Sequence, residues 1–240
     1  MEELKNKLVN WIREQVKIAG ASGVVFGISG GIDSSVTAIL CKESLKNRCL
    51  ALVMPCNSSK KDIKDTYFLI NKFSIPYREV VLGGVYNNIL SVLPKIASDK
   101  KIYQIAKANL KPRLRMLTLY YFANSLNYLV VGTGNRSEIT VGYFTKYGDG
   151  GVDIIPLGNL LKSQVRGLAK YLKVPKGIIE KPPSAGLWKG QTDEGEMGIT
   201  YNQIDEYIIS GRIEKSFKEK VEEMIIKSVH KRKTPTIPDF

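Results

Sequence analysis

Between residues 23 and 45 the chain reads as an apolar run (GVVFGIS), two further glycines, and then a helical pattern from Asp33 to Leu45. A buried strand that turns through glycine directly into a helix feeds a crossover, so the strand that follows lies parallel to the first. The unit recurs. CLALVMP at 49–55 precedes a helix near 60–73, PYREVVL at 76–82 precedes another helical region, and NYLVVGT at 127–133 follows a long helical pattern over 102–126. This alternation predicts an α/β fold, a Rossmann-like doubly wound parallel sheet covered on both faces. Ligands in such folds gather where the strands' carboxyl ends meet the helices.

The rest of the chain decorates that sheet. The N-terminus places Leu4, Leu8, Ile12 and Val16 four apart, which predicts an amphipathic helix and not an apolar signal core. Residues 137–158 are rich in glycine and read as loop with a short strand at 152–155, and a helix follows over about 159–172. Residues 181–198 hold two prolines and four glycines and read as a long irregular segment, of the length that usually serves as a functional lid. Helices near 201–209 and 214–230 precede a basic tail. With no internal repeat and no shift in composition, residues 1–240 are expected to form a single domain.

Composition and spacing argue against several classes of protein. The longest apolar stretches run eight residues, against the roughly 18–20 that cross a bilayer, so a membrane span is not expected and a cytoplasmic location is. Cys41, Cys49 and Cys56 are odd in number and lack metal-ligand spacing, which predicts reduced core residues. The net charge of +13, from 36 basic and 23 acidic side chains, invites polyanions, either nucleic acid or substrates rich in phosphate. The basic residues are scattered through the chain, not striped along one helix between aromatics, so nucleic acid is not the expected partner.

The sharpest local signal is Gly27, Ile28, Ser29, Gly30, Gly31, Ile32, Asp33 and Ser34, between a buried strand and a helix N-terminus. Glycines let backbone N–H groups approach an anion, and the helix end adds unpaired donors and a favourable dipole. Asp33 is placed to hold a magnesium ion against a pyrophosphate. No G-x-x-x-x-G-K-[ST] is present, so this is not a Walker A loop. A second glycine motif, G-T-G at 132–134, fails as a dinucleotide fingerprint because Ser137 stands where the third glycine belongs. Thr133, at a strand end, can instead bond a nucleotide, and Glu138 can give a second carboxylate to the magnesium site.

The first loop resembles the S-G-G-x-D-S motif of the ATP pyrophosphatase family, whose sheet is of the adenine nucleotide alpha hydrolase-like type. The run Gly132-Thr133-Gly134-Asn135-Arg136-Ser137-Glu138, the stretch from Gly142 to Asp153, and the block from Pro182 through Gln191-Thr192-Asp193-Glu194 are similar to the corresponding parts of NAD synthetases. That resemblance implies Lys162 and Ser184 as contacts to ATP. It implies Arg113, Lys146, Asp153, His230 and Lys231 as contacts to deamido-NAD, and the region around Arg113 and Arg115 as a homodimer interface. Taken alone, each lysine reads as solvated surface, and His230 with its basic followers reads as a complement to a helix dipole.

The implied chemistry uses ATP and Mg2+ to adenylate the nicotinate carboxylate, after which ammonia displaces AMP. A carboxylate resists ammonia until it carries a leaving group, and the chain offers no Ser-His-Asp or Cys-His grouping, so a covalent enzyme intermediate is not expected. The resemblance starts near residue 1 with no glutaminase part before it, so free ammonia is the expected nitrogen donor. The rival from another class is a tRNA-modifying ATP pyrophosphatase.

Overall fold

The computed structural model describes residues 1–240 apart from Ala97 and Lys189. Helix α1 (Glu2–Ile18) leads into strand β1 (Gly23–Ile28), helix α2 (Ile32–Leu45), strand β2 (Cys49–Val53), helix α3 (Lys60–Phe73) and the short strand β3 (Tyr77–Glu79). Helices α4 (Gly83–Val92), α5 (Lys100–Ala108) and α6 (Leu110–Leu126) then carry the chain back to β4 (Tyr128–Val131). The strands are parallel throughout, in the order β3-β2-β1-β4. Sequential strands add on one side of β1 and β4 on the other, so the switch point falls between β1 and β4, where this architecture places its ligands.

Both faces of the sheet are covered, as the apolar runs require. On one face α1, α2 and α3 bury Ile12, Val16, Val36, Leu40, Leu69 and Ile70 against Val24, Phe26 and Ile28. Helix α2 is buried almost all round, since α1 packs on its outer side, and its sequence accordingly lacks an apolar stripe. On the other face α4 and α6 set Tyr86, Leu114, Leu119 and Ala123 against Val25, Leu52 and Val130. Gly23 is obligatory at the start of β1, where a Cβ would lie 2.2 Å from the Arg48 carbonyl oxygen. All three cysteines are free and buried.

After β4 come α7 (Arg136–Val141), α8 (Lys162–Tyr171), α9 (Lys176–Ile179), α10 (Asp193–Met197), α11 (Tyr201–Ser210), α12 (Lys215–Lys227) and α13 (Val229–Arg232). Helix α8 adds Val165, Leu168 and Ala169 to the core beneath α2. Helices α7, α11 and α12 build a smaller apolar cluster around Val141, Tyr201, Ile204 and Val221.

Five elements depart from the reading of the sequence. The helical pattern over 102–126 is two helices, because Pro112 has no N–H for the Ala108 carbonyl and its ring would strike that group. The segment 152–155 is not a strand of the sheet but a single bridge, Val131 to Ile154, cut short by Pro156. Within the expected 137–158 loop lies α7, six residues and too short to display a helical period. The 159–172 helix begins only at Lys162, and 214–230 is interrupted at Ser228.

Leu168→Ala tests the packing that carries α8, since this side chain is wholly buried. It is expected to cost about 2–5 kcal/mol, read as a lower urea midpoint with an unchanged slope.

Candidate active site

The glycine loop is shaped by its own serines. The Ser34 and Ser35 hydroxyls donate to the Gly31 carbonyl at 3.0 and 2.7 Å, and Ser34 Oγ accepts from the Ser29 N–H. Gly31 is the N-cap of α2 and provides no side-chain cap, so the first-turn N–H groups stay available to an anion. Gly30 has φ of +73°, and a Cβ there would lie 2.5 Å from the Asp62 carbonyl, so both conformation and space require glycine. Ile28 and Ile32 bury their side chains in the core, which leaves their main chain for any nucleotide contact. Gly27 lies within β1, one residue before its end.

Asp33, in the first turn of α2, faces residues from beyond β4. Lys162 Nζ lies 2.6 Å from Asp33 Oδ2 and 3.0 Å from Glu138 Oε1, and Lys162 is 1% exposed. Asn135 links the same groups. Its Nδ2 donates to Asp33 Oδ1 at 2.9 Å, while its Oδ1 and N–H form a capping box with Glu138 at the start of α7. That box turns Glu138 Oε1 outward, toward Lys162. Tyr201 closes the cluster, its hydroxyl 3.1 Å from Glu138 Oε1 and 2.9 Å from Asp193 Oδ2, with its ring 4.5 Å from Lys162 Nζ.

Electrostatics follow from this crowding. Burial pushes the Glu138 carboxyl up to about 7, Lys162 pulls it down, and Asp33 adds to the rise. Burial opposes the Lys162 charge, yet the Asp33 and Glu138 carboxylates outweigh it and hold the ammonium above its usual range. The Asp193 carboxyl is raised by burial, and the Tyr201 hydroxyl is raised by burial and by Glu138 and Asp193. Asp33 and Glu138 thus share one ammonium, and Asp193 also feels its charge.

Four of the five residues read as dinucleotide contacts come together elsewhere. Arg113 donates to the Lys146 carbonyl at 3.3 Å, Lys146 Nζ to the His230 carbonyl at 2.6 Å, and Lys231 Nζ to the carbonyls of Gly142 and Phe144. Asp153 is engaged differently, accepting from Tyr120 OH at 2.9 Å and the Val130 N–H at 2.7 Å. Arg115 is drawn inward, with Nε 3.3 Å from the Met54 carbonyl. Thr133 stands half-buried just past β4, and Ser184 Oγ donates to the Gln191 carbonyl inside the 181–198 segment.

Asn135, Asp193 and Tyr201 belong to the cluster beyond the residues that the sequence motifs mark as contacts. Asn135-x-x-Glu138 is a capping box legible from spacing, and Asp193 lies within a block already matched. Nothing local marks Tyr201. The 181–198 segment is tied down beside the loop, with Lys181 Nζ reaching the Gly30 carbonyl at 3.1 Å, Asp62 at 2.8 Å and Asp65 at 2.6 Å.

Lys162→Met would strand two part-buried carboxylates and is expected to cost about 3 kcal/mol of stability near pH 8. Glu138 takes its proton in the fold at about 7, above the ordinary 4.5. Its ionisation therefore works against folding, a cost absent below the ordinary value and developed as pH rises through the folded one. Losing the cation moves the folded value further up. The deficit of the variant against the parent should thus be largest in alkali and shrink toward about pH 5. Urea denaturation at both pH values checks this, and an equal deficit at the two would contradict it.

With this geometry in view, comparison with known proteins is specific. The model of the NAD synthase family matches residues 4–235. The NH(3)-dependent NAD(+) synthetase of Carboxydothermus hydrogenoformans is 49% identical, covering 99% of this chain and 97% of that protein. That of Methanocaldococcus jannaschii is 45% identical, covering 100% and 98%. Among solved structures, an NMN synthetase from Francisella tularensis superposes with a TM-score of 0.93 at 41% identity, covering 100% of this chain and 98% of that one. The NH3-dependent NAD synthetase from Campylobacter jejuni superposes with a TM-score of 0.81 at 30% identity, covering 99% and 98%. The matched stretch runs through the glycine loop, the Asp33–Lys162–Glu138 cluster and the basic group around Lys146, and the chain belongs to the NAD synthase family.

Proposed function

We propose that this chain is an ammonia-dependent NAD synthetase, a carbon–nitrogen ligase that converts deamido-NAD, ATP and ammonia to NAD, AMP and pyrophosphate, the last step in forming NAD. The observation that carries this reading is the joining of Asp33 and Glu138 through Lys162 beside an uncapped helix N-terminus, in a chain of this family. The nicotinate carboxylate attacks the α phosphorus, the bond to the pyrophosphate breaks, and the 27–34 loop receives the departing anion on its N–H groups. Ammonia then adds to the mixed anhydride and AMP leaves. Thr133 and Ser184 bound the nucleotide, while Lys162 offsets charge building on the phosphates. Arg113, Lys146, Asp153, His230 and Lys231 hold the dinucleotide.

Mg2+ fits the donor set. Among the described residues no group of three or more His, Cys, Asp or Glu forms a metal cage, whereas Asp33 and Glu138 bring two hard carboxylates. Magnesium takes one or two such ligands and completes its shell with water and phosphate. Both carboxylates bond Lys162 Nζ, at 2.6 and 3.0 Å, so the two stand close enough together to serve one cation. When bound, the ion supplies charge neutralisation on the phosphate oxygens.

The chain works as one catalytic unit over residues 1–240, in the cytoplasm, as a homodimer. Among the described residues no helix is long and apolar enough to cross a membrane. Val85, Val92, Ile102, Leu117 and Tyr121 on α4, α5 and α6 are exposed apolar side chains, which supports a second subunit covering these helices. A second reading of the acceptor rests on the Francisella tularensis structure: nicotinate mononucleotide in place of the dinucleotide.

Purified protein given ATP, Mg2+, ammonium and deamido-NAD is expected to form NAD and AMP in equal amounts, with EDTA abolishing turnover. Label carried as 18O in the nicotinate carboxylate should appear in AMP. Asp33→Ala is expected to lower the rate on the order of 10²-fold or more. Nicotinate mononucleotide run in parallel decides the acceptor by the ratio of the two kcat/KM values. ADP as product would overturn the mechanism.

A further inference from the structure

Lys162 is the first residue of α8, and Leu161, its N-cap, has no hydroxyl or carboxylate to bond the first N–H groups. Those groups are met from another helix. Asp205 of α11, 4% exposed, accepts from the Ser163 N–H at Oδ2 over 2.9 Å and from the Ser137 hydroxyl at Oδ1. Ser137 Oγ in turn accepts from the Lys162 N–H at 2.9 Å. Each residue bonded in this way adjoins, or is, a member of the charged cluster: Ser137 precedes Glu138, and Ser163 follows Lys162. One buried carboxylate thereby joins the helix that carries Glu138 to the helix that carries Lys162.

We propose that Asp205, acting through Ser137, is a positioning residue that sets the separation between Lys162 and Glu138 and so aligns the Asp33–Lys162–Glu138 cluster for the adenylation step. The inference rests on the function proposed above. A carboxylate set against the first turn of a helix, as Asp205 is against α8, is favoured by the helix dipole, and here it is also the acceptor for the hydroxyl of the wholly buried Ser137, which would otherwise lack one. A long lysine side chain keeps its Nζ between two carboxylates only if its backbone is fixed, since it has four rotatable bonds over which to drift. Neither Asp205 nor Ser137 lies against the reactants in this account.

Asp205→Asn keeps size but turns an amide N–H toward one of two donors, and Ser137→Ala removes the relay to the Lys162 N–H while leaving the Asp205 to Ser163 bond. Rates are normalised to the folded fraction measured by circular dichroism at the assay temperature. Asp205→Asn is expected to lower kcat on the order of 10²-fold with KM for ATP and acceptor little changed. Ser137→Ala is expected to act in the same direction and less strongly, and the double variant to lose no more than Asp205→Asn alone. Unchanged kcat per folded enzyme, losses confined to KM, or losses that multiply in the double variant would overturn the proposal. Should Asp205→Asn fail to fold, Ser137→Ala decides alone by the same criterion. AMP formation by the unaltered protein, run alongside, tests the underlying function separately. Crystal structures of the variants test the geometry without activity: the proposal requires Lys162 Nζ to leave one of its two carboxylates, and it is wrong if both contacts persist.

Discussion

A lysine buried to 1% exposure between two carboxylates is the constraint around which this molecule is arranged. Taking three charges out of water is costly, and the cost is offset only if every lone pair and proton finds a partner at good distance. That requirement reaches far along the chain. Asp33 comes from the start of α2, Glu138 and Asn135 from the start of α7, Lys162 from the start of α8, and Tyr201 from the start of α11. Each of the four helices presents its N-terminal turn to the same point. Helix N-termini carry partial positive charge, which favours the carboxylates, and they leave a region receptive to further anions once the carboxylates are matched.

The sheet explains why these turns can meet. Parallel strands deliver every following helix from the same edge, and the order β3-β2-β1-β4 puts the ends of β1 and β4 side by side. The glycine loop leaves one and the Asn135 capping box leaves the other. Gly30, pressed against the Asp62 carbonyl with positive φ, lets the first connection stay tight enough for Asp33 to reach across. Much of this was legible in the sequence, because hydrophobic alternation and glycine placement are local signals. The approach of Asp33 to Glu138 followed once β1 and β4 were known to be parallel.

Other parts were not legible, for physical reasons that differ from residue to residue. Lys162 was suggested only by family resemblance. A lysine at a helix start has no local mark that distinguishes a buried cation from a solvated one, because its environment is made by residues 129 and 24 positions away. Tyr201 sits at the head of an ordinary amphipathic helix, and its hydroxyl finds Glu138 and Asp193 through tertiary packing alone. The split at Asn109 is marked in the sequence only by Pro112, whose missing N–H runs against a continuous apolar pattern. Helix α7 is shorter than two turns, so periodicity cannot show it, although its Asn-x-x-Glu spacing can. Asp153 illustrates the opposite case, a residue whose bonds to Tyr120 and the Val130 N–H serve the sheet edge regardless of any contact it makes with substrate.

The segment beyond residue 180, expected to be irregular throughout, is irregular only as far as the short helix α10 (Asp193–Met197), and it shows how such a stretch is held at a charged site. Its backbone groups need partners, and its own side chains supply several: Asp193 accepts from the Ala185 N–H, Gln191 from the Leu187 N–H, and Ser184 donates to the Gln191 carbonyl. Two lysines pin it to the α/β core, Lys181 at the Gly30 carbonyl and the acids of α3, and Lys111 by donating to the Leu187 carbonyl. Asp193 is the point where this arrangement joins the cluster, since one of its oxygens orders the segment and the other accepts from Tyr201. A change in charge among Asp33, Glu138 and Lys162 is therefore felt by the segment through a single hydroxyl. Because Tyr201 donates to both Glu138 and Asp193 from one proton, it can satisfy only one of them at a time, and the more negative of the two takes it. That shared hydroxyl ties Asp193, whose other oxygen accepts from the Ala185 N–H, to the carboxylate that faces Lys162.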